Sequence, residues 1–231
     1  MEKQLQKEIK KVAFILMVFT IIWVILTGIS MSQVKSSWSD TEYLRWVSKP
    51  DIFYTLNYIN ATIFTFIAIV FYTVLFRYLY EKSKLLGLLG FVFIPVYGVL
   101  NLICYSMQIT IVPSIANHTL ISSGDILFVS QLIQSKSGTL IGFINGLAYA
   151  ILGVPSIIYG YMLIKDMKKL SVLFILLNGI LCIVGIIGFM IKNNIMSNGV
   201  MLGGIVFLIS LVVMVLEFRN NALESTSKVN K

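Results

Sequence analysis

Six long apolar runs, at residues 12–32, 52–78, 85–112, 139–164, 170–191 and 196–216, take up most of this chain. Short polar joins separate them. A helix rises ~1.5 Å per residue, so about 20 apolar residues cross the ~30 Å hydrocarbon core of a bilayer, and every run meets that length. Arg77 is the one charged residue inside the runs, and it sits next to the last position of its own. The expected fold is all-α: a single domain over residues 1–231, a multi-pass bundle of six transmembrane helices.

The chain is 58% hydrophobic and 12% charged, which suits a surface that faces lipid and needs no polar cover. Six spans leave no length for a separate soluble domain. The net charge of +8 would suit a nucleic-acid surface, but its distribution does not. Thirteen of the eighteen Lys and Arg lie in the two tails and in the joins 77–84 and 165–169. The remaining joins hold Lys35, Arg45, Lys49, Lys136 and Lys192. Positive charge is retained in the cytoplasm, so both termini are expected there, and the split supports an even number of spans. Attraction to anionic inner-leaflet lipid adds to this. No basic patch is interleaved with exposed aromatics in a soluble segment, so no nucleic-acid partner is expected. Lys outnumbers Arg 15 to 3, a bias that suits an AT-rich bacterial genome and hence a bacterial cell membrane.

The first run is too long for a signal-peptide core and reads as an uncleaved anchor. Leu5, Ile9 and Val12 share a face ahead of it and suggest a helical extension near the headgroups. In the outer join 33–50, Trp38 and Trp46 read as interfacial anchors, and Ser48–Asp51 has the spacing of a capping box for the second span. The outer join 113–138 carries Pro113, the lone His118 and an apolar stretch, 126–133, able to form a half-helix on the surface or over the bundle. Pro95 and Pro155 should kink the third and fourth spans. Gly138, Gly142 and Gly146, then Gly153 and Gly160, give the fourth helix a small-residue stripe, repeated by Gly199 and Gly203 in the sixth. Such stripes admit close helix packing within the chain or a homodimer seam. The lone cysteines Cys104 and Cys182 read as packing residues, with no redox pair.

Polar residues inside the spans recur at helical spacing. The third span places Tyr97, Asn101, Cys104 and Gln108 on one face, the fourth places Asn145 and Tyr149, and the second offers Asn57 and Asn60. The expected topology puts Asn57, Asn60, Asn101, Gln108 and Asn145 in the outer half of the bilayer. An amide in hydrocarbon must meet a partner, so two readings stay open. The amides are interhelical glue, or they line an outward-facing site, with Tyr97, Tyr105 and Tyr149, for a small neutral or amphiphilic ligand. No carboxylate or basic group lies at that depth, which argues against a bare ion.

Enzyme chemistry fails by absence. His118 is alone, the aspartates lie at span ends or in joins, no lysine sits mid-span, and no His/Asp/Glu cluster can hold a metal. Glu217 at the end of the sixth span reads as an interface pair with Arg219. No catalytic residue, cofactor or metal is expected.

The stretch GTLIGFINGLAYAILGVPSIIYGYMLIKDMKKLSVLFILLNGILCIVG, with the basic start of the first helix and the long outer joins, resembles a family of uncharacterised bacterial six-helix integral membrane proteins. Members often carry a Pro between the fourth and fifth helices, where this chain has Lys168 and Lys169. The resemblance implies a fold and no catalytic residue. The functional expectation is a lipid- or small-amphiphile-binding or accessory membrane protein of sensor or immunity type. The alternative is a small-solute permease or the substrate-binding subunit of a transporter.

Overall fold

The computed structural model describes residues 2–35, 37–122, 124–165, 167 and 169–229, with the side chains of 2, 3, 194 and 218–229 excepted. The chain is 85% helical, with no strand among the described residues. In order, the helices are α1 (Glu2–Met31), α2 (Asp40–Ser48), α3 (Ile52–Tyr80), α4 (Lys84–Phe91), α5 (Phe93–Ser122), α6 (Ile126–Ser130), α7 (Leu140–Leu163), α8 (Lys169–Met190), α9 (Asn194–Ser197) and α10 (Gly199–Val229). Among the described residues six stretches are long and apolar enough to cross a membrane: Gln4–Met31, Ile52–Tyr80, Lys84–Ser122, Leu140–Leu163, Lys169–Met190 and Ile195–Glu217. This is the all-α, six-span fold of a multi-pass membrane protein.

The helix ends follow local chemistry. Ser39 and Glu42 form a reciprocal capping box that starts α2. Asp51 starts α3: its Oδ1 accepts from the Tyr54 amide at 2.7 Å. Ser48 does not cap α3 as its spacing suggested; its hydroxyl donates to the Arg45 carbonyl inside α2. Pro95 has no N–H for the Phe91 carbonyl, and the third span breaks at Val92 into α4 and α5. Pro113 and Pro155, in contrast, lie inside continuous helices. Residues 113–122 therefore extend α5 rather than opening a join, and His118 is helical. Val112 and Ala116 are fully buried, so packing holds the turn that Pro113 weakens. The apolar face of the N-terminal extension, Leu5 and Ile9, is buried within the protein.

The chain forms two compact units. The first comprises Met1–Val18, Ile67–Tyr97 and Tyr149–Lys231. In it, α7, α8 and α10 pack backbone to backbone. A Cβ added at Gly153 would lie 2.7 Å from the Gly179 carbonyl oxygen, and one at Gly199 would lie 2.6 Å from that of Leu181. Only glycine admits these approaches. Gly138 is not part of the α7 stripe: it turns ahead of the helix with φ +74°, and Thr139 then caps α7 by accepting from the Gly142 amide.

The second unit comprises Phe19–Phe66 and Gly98–Ala148. Its core joins Leu44 and Val47 of α2, Tyr54, Tyr58 and Ala61 of α3, Cys104, Tyr105, Val112 and Ala116 of α5, Val129 of α6, Ile133 and Ile141. The helix α2 packs on α6.

Candidate binding site: an uncharged hydrogen-bond network

Burial of amides and phenols in the second unit forces them onto one another. Asn145, early in α7, donates from Nδ2 to Asn101 Oδ1 at 2.8 Å and to the Tyr105 hydroxyl at 3.1 Å. Its Oδ1 accepts from Gln134 Nε2 at 3.1 Å. Gln134 lies on the turn before α7, and its Oε1 accepts from the Tyr58 hydroxyl at 2.8 Å. The Gln134 backbone amide donates to Gln108 Oε1 at 3.1 Å, and the Tyr54 hydroxyl reaches the same oxygen at 3.3 Å. Gln108 Nε2 donates to the Leu132 carbonyl at 2.9 Å. These bonds connect α3, α5, α7 and the 131–139 turn through neutral groups alone.

One amide of the network is left over, and Trp46 Nε1 and Ser135 Oγ beside the network are also buried without a partner. Asn101 is fully buried, and its Nδ2 has no hydrogen-bond partner. Its Oδ1 is fixed by Asn145, so the amide cannot turn to relieve this without losing that bond. Leaving a buried donor unsatisfied costs about 1–3 kcal/mol.

The other residues singled out by sequence fall elsewhere. Asn57 Oδ1 accepts from Thr27 Oγ1 at 2.9 Å, and Asn60 Nδ2 donates to the Phe19 carbonyl at 3.1 Å, so both tie α3 to α1. Tyr97 and Tyr149 belong to the first unit, where their rings meet edge-on at 5.9 Å. Sequence reasoning missed Tyr58 and Gln134. Tyr58 lies one turn beyond Tyr54 and was findable by periodicity. Gln134 sits on a turn, where no periodicity marks it.

A ladder of rings covers the network. Trp38 meets Trp46 at 6.0 Å, Trp46 meets Tyr54 at 5.0 Å, Tyr54 meets Tyr58 at 4.7 Å and Tyr58 meets Tyr105 at 6.2 Å. Beside it, Glu42 accepts from the Ser39 amide and hydroxyl, which with Arg45 and Lys35 holds its carboxyl below the usual range.

The first unit holds a second polar chain. The Tyr72 and Ser156 hydroxyls meet at 2.6 Å, Ser156 Oγ lies 3.0 Å from Asn178 Oδ1, and Asn178 Nδ2 donates to the Gly203 carbonyl at 2.9 Å. Glu217 is buried and accepts from Ser171 Oγ at 2.5 Å; the side chain of Arg219, its expected partner, lies outside the described residues. Among the described residues no group of three or more His, Cys, Asp or Glu could hold a metal ion.

Compared with protein-family models, curated proteins and solved structures, the chain shows no match to any of the three.

Proposed function

We propose that this membrane protein is a non-enzymatic binding protein whose site is the amide network around Asn101, and whose ligand is a small neutral amphiphile or lipid. The observation that carries the reading is the Asn101 Nδ2 group, a fully buried donor with no acceptor. The remaining amides of the network are bonded to one another, so the missing partner is an acceptor. A carbonyl, ester, ether or hydroxyl oxygen on a ligand answers that need. No charged group belongs to the network, which favours a neutral oxygen over an anion. The rings of Tyr54, Tyr58 and Tyr105 offer apolar faces to the rest of such a molecule.

The same reading places the chain in a bacterial cell membrane with both termini in the cytoplasm, supported by the concentration of Lys and Arg in the tails and two joins. It also takes the chain to belong with the six-helix family that its fourth and fifth spans resemble. The test is native mass spectrometry of the purified protein with extraction of whatever is bound. A reproducible oxygen-bearing small molecule or lipid, lost in Asn101→Leu, is expected. Wild-type protein free of any bound molecule contradicts the reading.

A further inference from the structure

The segment between α1 and α3 leaves the spans and returns to them. Gln33 Nε2 donates to Asp51 Oδ2 at 2.5 Å, which clips the two ends of the excursion together. Between them α2 is a short helix with one apolar face. Leu44 and Val47 are fully buried in the core that holds Tyr54 and Tyr58, and the Trp46 ring stands edge-on to Tyr54. The hydroxyls of those two tyrosines end on Gln108 and Gln134. So α2 lies directly over the aromatic side of the network.

On the polar side an ion pair holds it. Lys136 Nζ meets Asp40 Oδ1, the first residue of α2, at 2.5 Å, with the two side chains 19% and 28% exposed. Lys136 also donates to Ser130 Oγ at the end of α6. It belongs to the same turn as Gln134, whose amide and carbonyl ends bond Asn145 and Tyr58. The pair therefore joins the covering helix to the very turn that supplies a network residue.

We infer that α2 is a lid over the polar network, latched by the Asp40–Lys136 ion pair, and that its release opens the network to the water side. The inference rests on the binding reading only for what the lid admits; the opening itself is a property of the free protein. Its apolar face limits opening to a minor population, and the part-exposed Asp40–Lys136 ion pair makes that population adjustable.

Cys104 supplies the probe. It lies in the same core as Leu44 and Val47, on α5 between Asn101 and Gln108, and is fully buried. Cys182, buried in the first unit, is the internal control. The experiment is labelling of the detergent-solubilised full chain with a small charged methanethiosulfonate, reading each cysteine by peptide mass. In Asp40→Asn, Cys104 labelling should rise about two- to fivefold, the population change that a part-exposed ion pair controls. Cys182 should stay at its wild-type rate. Exchanging the charges, Asp40→Lys with Lys136→Asp, should return Cys104 to near wild type. Unchanged Cys104 labelling in Asp40→Asn overturns the latch. A parallel rise at both cysteines overturns it too, because the pair would then stabilise the whole chain rather than a lid. None of these readouts involves ligand, so a failed latch leaves the Asn101 site standing, and a protein with nothing bound leaves the latch standing.

Discussion

Asn178 in the first unit and Asn101 in the second are buried asparagines on apolar helices, and they end in different states. Asn178 uses both ends: Oδ1 lies 3.0 Å from Ser156 Oγ, and Nδ2 donates to Gly203 O at 2.9 Å. Around it, helices approach until Gly153 and Gly179 touch through backbone, so carbonyls are within reach of any side-chain donor. Asn101 has one end occupied and one end empty. The network it belongs to is built from side chains, the amides of Asn145, Gln134 and Gln108 and the phenols of Tyr54, Tyr58 and Tyr105. Close glycine packing satisfies its polar groups by geometry. The side-chain network leaves a donor for something else to meet. Glue and site are thus told apart by the balance of donors and acceptors, more than by residue type.

The largest expected effect breaks the glycine half of this contrast. Gly179→Leu would drive a Cβ to 2.5 Å from the Gly153 carbonyl, where neither backbone can withdraw. It should cost about 3 kcal/mol, at the upper end of overpacking, in equilibrium unfolding in mixed micelles. A loss under ~1 kcal/mol would mean that the α7–α8 seam is looser than its geometry implies.

Next comes Asn178→Leu, which removes the bond to the Gly203 carbonyl and an acceptor from Ser156. Unfolding should show a loss of about 1–2 kcal/mol. The matching change, Asn101→Leu, sharpens the comparison. It removes one interhelical bond worth ~0.6 kcal/mol and also an unsatisfied donor costing about 1–3 kcal/mol. Protein stripped of bound molecules should then be within ~1 kcal/mol of wild type, or more stable. Equal losses in the two variants would erase the distinction between the units.

The smallest effect concerns pH. The Glu42 carboxyl is held below its reference value of 4.5 by bonds from Ser39. A depressed value in the folded protein means that its stabilisation is complete above the unfolded value and is lost as pH falls through the folded one. In an Asp40→Asn background, which lacks the latch carboxylate, amide exchange in α2, corrected for intrinsic rates, should therefore accelerate on acidification below 4.5, and Glu42→Gln should remove that dependence. A pH-independent α2 would show that the capping box contributes nothing to its order.

The spans were legible because lipid imposes length and composition directly on sequence. So were Asn101, Gln108 and Asn145, which the structure brings into one network. The capping box of α2 is written in the sequence as Ser39-Asp40-Thr41-Glu42, and the same spacing recurs at Ser48–Asp51, where Ser48 bonds inside α2 instead. Gln134 could not be found, because a turn has no period. Nor could the partner of Asn60: a backbone carbonyl such as that of Phe19 carries no sequence signal. Gly138 misled for the converse reason. Its spacing continued the helical stripe, while its positive φ made it the turn before the helix.

The most direct test of the central claim is an experimental density map of the protein crystallised from lipid, read at Asn101 Nδ2. The account predicts density for a bound organic molecule with an oxygen about 2.7–3.2 Å from that nitrogen. A lone water there, or a protein acceptor in contact with it, would make the network packing glue and contradict the binding reading.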